Sequence, residues 1–153
     1  FMQRAGIQML NVPYKGDGPA VVALAGGEVD LFVGGLQSAL PMMQAGRAKA
    51  IAMTGMSRSK LAPNVPTVDE AGYRGYEHSA WSGVVVPAGT PTSIVSQLQN
   101  AIGLAVKQPS VVKIFDANAL VAVGSTPEEF GKVIEQDTAK FAAVIKRLNI
   151  KLD

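Results

Sequence analysis

The chain has 153 residues, 48% of them apolar and 17% charged, so it can bury a core in one ordinary domain or two small lobes and is not disordered. Its net charge of +2 comes from scattered basic residues without a basic run, which argues against a nucleic-acid partner, and no apolar run is long enough to span a bilayer. With no cysteine and one histidine, the chain excludes disulfides and thiolate metal sites, and we expect no catalytic residue, metal or cofactor.

The chain begins with a short helical pattern. Residues 1–6 resemble the last turns of an amphipathic helix, with Gly6 in the C-terminal position. No N-cap, initiator methionine or signal-peptide pattern comes before it. We therefore expect the chain to be a fragment or processed product of a longer protein.

A glycine-rich turn then joins a predicted strand at residues 8–12 to a predicted helix. Gly16 and Gly18 allow a tight turn and a close approach to a bound group, and Pro19 suits the first helical position. Free N–H groups at such a helix start, with Lys15 beside them, would favour a small anion such as a carboxylate. An ordinary strand-to-helix loop, whose glycines only make the corner, is the alternative interpretation.

The first third of the chain continues with a regular alternation of strands and helices. The predicted order is a helix at 19–25, a strand at 28–33, a helix at 37–45 and a strand at 48–54. This order predicts right-handed crossovers and a parallel sheet. Gly34 and Gly35 follow the second strand, which is the general ligand position of open α/β sheets, although a tight turn explains them as well.

The rest of the chain is a polar loop, a long strand and a mainly helical end. Predicted in order are a loop at 56–66, a short helix at 68–71, a strand at 76–86, a helix at 91–107 capped by Thr90, a helix at 109–117 and a strand at 120–123. Asn118 is expected in the left-handed conformation after the second of these helices. Thr126 and Glu129 form a predicted capping box that opens the last helix.

Six motifs, in this order and spacing, resemble the Bug/TctC family, the extracytoplasmic solute-binding receptors of tripartite tricarboxylate transporters. They are VPYKG at 12–16, GEVD at 27–30, SALP at 38–41, NVPTVDEAG at 64–72, PAGTP at 87–91 and TPEEF at 126–130. The resemblance runs along essentially the whole chain. It covers only the C-terminal half of a family member.

The resemblance implies an α/β fold of the type II periplasmic-binding-protein kind, with two lobes and parallel-rich sheets. Residues 1–78 would be the latter part of the second, ligand-binding lobe, and residues 79–153 would be the crossing strand and the C-terminal part of the first lobe. Such receptors are periplasmic, capture a small organic acid between the lobes, deliver it to a membrane permease and catalyse nothing. Unpaired strand edges in a half-length chain would also allow a homodimer or strand exchange.

The candidate ligand-binding residues are Tyr14, Lys15, Gly16, Gly18, Gly34, Gly35, Ser38 and Trp81. Each has a structural alternative, because an exposed Lys15 is usually only solvated, Ser38 could simply cap a helix, and a lone Trp81 is more often core or interface. Family members often have an acidic residue where Gly34 stands. Its loss predicts a ligand without a cationic amine.

Two other function classes remain open at this point. A ligand-sensing effector domain of a transcription regulator would share the bilobed architecture. An enzyme on a doubly wound sheet is disfavoured, because the sequence shows no nucleophile–base pair, metal cluster or full dinucleotide fingerprint.

Overall fold

The computed structural model of the chain describes residues 1–148. Within that range it contains six helices, in the order α1 (Met2–Ala5), α2 (Asp17–Gly26), α3 (Leu36–Gln44), α4 (Thr92–Ala105), α5 (Pro109–Ala117) and α6 (Pro127–Leu148). None of the helices in this part of the chain is long and apolar enough to cross a bilayer. Residues 149–153, the end of the second predicted domain, lie outside the described residues.

Glycines in the left-handed conformation end the first two helices, as the sequence predicts. Gly6 follows α1 with φ 65°, and Gly27 follows α2 with φ 77° and donates its N–H to carbonyls of the last turn. The start of α2 differs from the prediction, because the helix begins at Asp17 and Pro19 is its third residue rather than its first. Proline is tolerated anywhere in the first turn, since the N–H groups there have no intrahelical acceptor.

The ends of α4 and α5 correct two further expectations. Pro91 is the N-cap of α4, and the hydroxyl of Thr90 donates to the Pro87 carbonyl instead of capping the helix. After α5 the left-handed residue is Ala119, with φ 56°, and not Asn118. The side chain of Asn118 donates to the Ile114 carbonyl at 2.8 Å, so it satisfies the helix end without changing its own backbone.

The five predicted strands form no ladder within residues 1–148. The segments at 8–12, 28–33, 48–54, 76–86 and 120–123 lack regular secondary structure, apart from an isolated parallel bridge between Met53 and Thr67. Their apolar side chains are accordingly open, with Leu10 exposed by 90% and Val85 and Val121 by 80% each. A strand is defined by its ladder, and single contacts such as the His78 N–H to the Thr54 carbonyl at 2.9 Å do not make one.

The chain divides into two compact units. The first comprises Phe1–Trp81 with Lys113–Val121, and the second comprises Ser82–Val112 with residues 122–148 of the described chain. The buried residues of the described chain all lie in the first unit, and they are Val21, Ala23, Ala62, Thr67 and Val68. In the second unit the capping box of α6 is present, because Thr126 Oγ1 accepts from the Glu129 N–H at 3.2 Å and Glu129 Oε2 accepts from the Thr126 N–H at 2.8 Å.

The loop predicted at 56–66 is anchored to the turn that follows it. The short helix expected at 68–71 is a hydrogen-bonded turn, closed by a reciprocal pair of bonds between Thr67 and Glu70. The Arg58 guanidinium donates to the Glu70 carboxylate at 2.8 Å and to the Pro63 carbonyl at 3.2 Å. This guanidinium, followed by the Thr67 N–H, lowers the pKa of the Glu70 carboxyl below its usual value of 4.5.

Candidate functional site

Helices α2 and α3 pack together with their amino ends adjacent. At that end the Asp17 carboxylate, in the first residue of α2, accepts a hydrogen bond from the Gly35 N–H at 2.9 Å. At the opposite end the Arg47 guanidinium, just beyond α3, donates to the Ala25 carbonyl of α2 at 3.0 Å. The two helices therefore run in the same direction, and their positive dipole ends lie side by side.

The first glycine corner depends on Gly16, which is the N-cap of α2. Its backbone has φ 96° and ψ 176°, a conformation that is essentially restricted to glycine. Its N–H donates to the Tyr14 carbonyl at 2.9 Å, so this amide is used within the turn itself. Tyr14 is half-buried, whereas Lys15, Gly16 and Gly18 are exposed.

Side chains of the neighbouring residues lie over the second glycine corner. A Cβ atom on Gly34 would collide with the Phe32 ring and would stand 2.9 Å from Asp17 Oδ1. A Cβ atom on Gly35 would collide with the side-chain amide of Gln37. A side chain at either position would therefore require the Phe32 ring or the Gln37 amide to move, and Gly34 is exposed while Gly35 is half-buried.

Asp17 joins the two corners. Its Oδ2 accepts from the Gly35 N–H and from the Ser38 hydroxyl, the latter at 3.3 Å. A carboxylate at the amino ends of two helices is favoured by both dipoles. The Gly35 N–H and the Ser38 hydroxyl, which were predicted to bind a ligand, are therefore already bonded to the Asp17 carboxylate.

Other backbone donors at these helix starts keep their hydrogens unbonded. Among residues 1–148 no acceptor reaches the N–H of Gly18 in α2 or those of Leu36 and Gln37 in α3. N–H groups in the first turn of a helix normally bond to a cap, to water or to a ligand. The paired helix starts therefore offer up to three amides to an anion, beyond the donors that Asp17 uses.

The predicted site residues are thus placed as follows. Tyr14, Lys15, Gly16 and Gly18 line the start of α2, and Gly34, Gly35 and Ser38 line the start of α3, so the contacts of Asp17 bring these two groups together. Trp81 belongs to the same compact unit and is 47% exposed. No group of His, Cys, Asp and Glu able to hold a metal ion occurs within residues 1–148.

Sequence reasoning missed Asp17 as a member of the site. Asp17 lies in the glycine-rich turn, where an acidic residue is normally interpreted as a favourable first-turn residue of the following helix. Nothing local reveals a bond to residues 18 and 21 positions further along the chain. The prediction of a parallel crossover, which places successive helix starts at one sheet edge, is the signal that could have suggested it.

Sequence comparison assigns this chain to a family. Residues 1–150 match the family described as "Tripartite tricarboxylate transporter family receptor". The chain belongs to this receptor family. Among its relatives, Protein BugT of Bordetella pertussis is 34% identical over 152 residues, covering 99% of this chain and 47% of BugT. A UPF0065 protein from the tcbD-tcbE intergenic region of Pseudomonas sp. strain P51 is also 34% identical, over 93% of this chain and 43% of its own length.

Solved structures of receptors give the same assignment. A structure described as a periplasmic transporter matches with a TM-score of 0.84 and 38% identity, covering 99% of this chain and 51% of that one. Rpa4515 of R. palustris, solved with adipate, matches with a TM-score of 0.82 and 30% identity, covering 95% of this chain and 48% of Rpa4515. MatC of Rhodopseudomonas palustris, solved with bound malate, matches with a TM-score of 0.75 and 29% identity, covering 94% of this chain and 50% of MatC.

These matches confirm the family predicted from the six motifs, and with it a periplasmic-binding-protein fold. The receptor family is one of solute-binding proteins rather than enzymes. This chain spans about half the length of the two relatives and three solved structures named above. The parallel-rich sheets stay a prediction, since residues 1–148 contain no ladder that would define them.

Proposed function

We propose that this chain is the ligand-binding part of a periplasmic receptor that captures a small organic acid and delivers it to the membrane permease of a tripartite tricarboxylate transporter. The observation that carries the proposal is the side-by-side placement of the amino ends of α2 and α3, fixed by the bond from Gly35 to Asp17. Two adjacent helix starts with unbonded amides are suited to a carboxylate. The relatives solved with adipate and with malate support this ligand class.

The proposed ligand contacts are mostly backbone contacts. Gly18, Leu36 and Gln37 supply N–H groups, and the open space beside Gly18, which has no side chain, lets a ligand come close. Lys15 adds a positive charge at the rim, and Trp81 supplies an aromatic face. The other predicted donors already have partners within the chain. The Gly16 N–H donates to the Tyr14 carbonyl, and the Gly35 N–H and the Ser38 hydroxyl donate to Asp17. They contact a ligand only if it replaces those partners.

The lobe division predicted from the sequence, at residues 1–78 and 79–153, remains part of this proposal, as does capture between the lobes. Permease delivery and export to the periplasm are proposed on family membership. Neither the contacts of residues 1–148 nor the matched proteins support the homodimer or strand exchange that unpaired edges suggested, so we do not propose them.

Isothermal titration of the full-length receptor with adipate, and with the uncharged dimethyl ester of adipate, tests the proposal. The two compounds share a carbon chain and differ in charge. We expect a carboxylate to bind and its ester to bind far more weakly, because helix-start amides favour an anion. Native mass spectrometry of the protein as purified should show a retained organic acid. A protein that retains no acid and binds ester and acid equally would contradict an anion receptor.

A further inference from the structure

The two oxygens of the Asp17 carboxylate have different surroundings. Oδ2 is held by the Gly35 N–H at 2.9 Å and by the Ser38 hydroxyl at 3.3 Å. Oδ1 lies beside Gly34, 2.9 Å from the point where a side chain on that residue would begin. Within residues 1–148 no group donates a hydrogen bond to Oδ1. One oxygen is therefore anchored, and the other is an unused acceptor.

Oδ1 is also accessible. No buried side-chain oxygen or nitrogen in the described chain lacks a partner, so an oxygen without a donor, as Oδ1 is, must reach the surface. Gly34, which borders it, is exposed and carries no side chain of its own, although the Phe32 ring also lies beside this point. Asp17 as a whole is half-buried, so its charge is less screened than that of a fully exposed carboxylate.

We propose that Asp17 determines which organic acids this receptor selects. Its Oδ1 accepts a hydrogen bond from a donor on the ligand, either a hydroxyl or an amino N–H, while its charge disfavours a second carboxylate at the same point. This inference rests on the proposed function, because it needs an acid bound at the starts of α2 and α3. The amides of Gly18, Leu36 and Gln37 hold the ligand carboxylate, and Asp17 recognises the neighbouring substituent.

Asp17 changes the expectation, drawn from Gly34, that the ligand has no cationic amine. A glycine at that position predicted a site without an acid, and hence a ligand without an amine. The structure places a carboxylate from Asp17 next to the position where a side chain on Gly34 would start. The corner is therefore acidic, although the acid comes from another helix. A donor-bearing ligand pairs with that charge, and a bare hydrocarbon chain would leave it partly desolvated and unpaired.

Titration of the full-length receptor with matched acids tests the inference. Each series keeps one carbon skeleton and changes a single substituent from hydrogen to hydroxyl to amino: propionate, lactate and alanine; succinate, malate and aspartate; phenylacetate, mandelate and phenylglycine. Within the series that binds, we expect a donor-bearing member to bind about tenfold or more tightly than its parent, since a hydrogen bond to a charged group is worth that much. The hydroxyl and amino members show whether the donor is neutral or cationic.

The variant Asp17→Asn separates recognition from support of the fold. Asparagine can still accept from the Gly35 N–H, but it has no charge and can itself donate. We expect the preference for the donor-bearing acid to fall to near equality in this variant. Asp30→Asn is the matched control, because it removes one exposed carboxylate of the same compact unit and should leave the preference unchanged.

The outcomes distinguish a failure of the proposed Asp17 role from a failure of the proposed receptor function. If acids bind but parent and donor-bearing members bind equally in the unmodified receptor, the role of Asp17 is wrong and the receptor function stands. An equal loss of affinity for all members in Asp17→Asn, with the preference retained, would show that Asp17 only supports the helix starts. If none of the nine acids binds while adipate does, the role of Asp17 is wrong and the receptor function stands. If adipate also fails to bind, both the inference and the carboxylate-receptor function are overturned.

Discussion

Single residues decide the geometry of the two corners. Gly16 has a φ and ψ that other residues rarely adopt, and this conformation turns the chain from the extended segment into α2. Asp17 then follows as the first helical residue and reaches the start of α3. A glycine in this turn is predictable from composition, but its effect on the placement of Asp17 is visible only in three dimensions.

Replacing Gly16 by alanine should destabilise the full-length protein by about 1–3 kcal/mol, because a Cβ atom strains this backbone conformation. Gly18→Ala is the matched control. Gly18 lies within α2 at an ordinary φ with open space around a Cβ atom, so alanine there should be neutral or slightly stabilising. Urea unfolding of both variants measures the difference. Equal stabilities would show that the turn relaxes.

Glu70 makes stability depend on pH. Its pKa is lowered in the folded chain, chiefly by the Arg58 guanidinium and then by the Thr67 N–H. Its stabilising effect is therefore present above the usual pKa of 4.5 and is lost as the pH falls through the lower folded value. The effect is small, since Arg58 and Glu70 are both well exposed.

Thermal unfolding of Glu70→Gln beside the unmodified protein should show this pattern. The variant should melt slightly lower at pH 7, and the difference should shrink as the pH is lowered past 4.5 and through the lowered pKa of folded Glu70, because a protonated Glu70 no longer pairs with Arg58. A difference that is constant from pH 7 to pH 3 would mean that shape, and not charge, accounts for the contribution of Glu70.

Elements were predicted best where their end signals are local. Local end signals identified α2, α3, α4 and α5 to within two residues at each end, and the capping box identified the start of α6. The correction at Asn118 and Ala119 has a simple reason, since the asparagine side chain bonds back to the helix and the next residue takes the left-handed conformation. Helices depend on contacts between near neighbours in sequence, and a sequence pattern contains those contacts.

The capping box of α6 gives the clearest test at this scale. Thr126→Ala removes the hydroxyl that accepts from the Glu129 N–H, and should cost about 1 kcal/mol of stability. Thr138→Ala, at an exposed position inside the same helix, should be neutral or slightly stabilising because alanine is the better helix former. Denaturant unfolding compares the two. A Thr138 variant as unstable as the Thr126 variant would rule out a capping effect.

At the scale of the whole molecule, the strand segments are not joined into a sheet within residues 1–148, although the His78 N–H of one segment donates to the Thr54 carbonyl of another at 2.9 Å. Leu10, Val85 and Val121 have most of their side-chain surface exposed, and the segments that contain them form no ladder within residues 1–148. BugT and the Pseudomonas relative are about twice as long as this chain. We therefore expect the partners of these segments to be supplied by a chain of the relatives' full length, which would also cover their apolar side chains.

Hydrogen exchange by mass spectrometry tests that expectation. In a receptor of full family length, the amides of residues 8–12, 84–86 and 120–123 should exchange slowly, whereas in the present chain alone they should exchange rapidly. The helical amides of α6 serve as the internal control, because their bonds lie within the helix and should be protected in both. Equally rapid exchange in the two chains would show that these segments are not sheet strands.

The amino-acid sequence by itself determined the family, the helices and the two glycine corners, because motifs, caps and glycine turns are local properties of the chain. It also predicted the strand segments, but composition cannot supply a partner strand. Only the tertiary structure decided that the starts of α2 and α3 lie side by side and that Asp17 joins them. Such a contact depends on how two distant helices pack, and packing is settled by the chain as a whole.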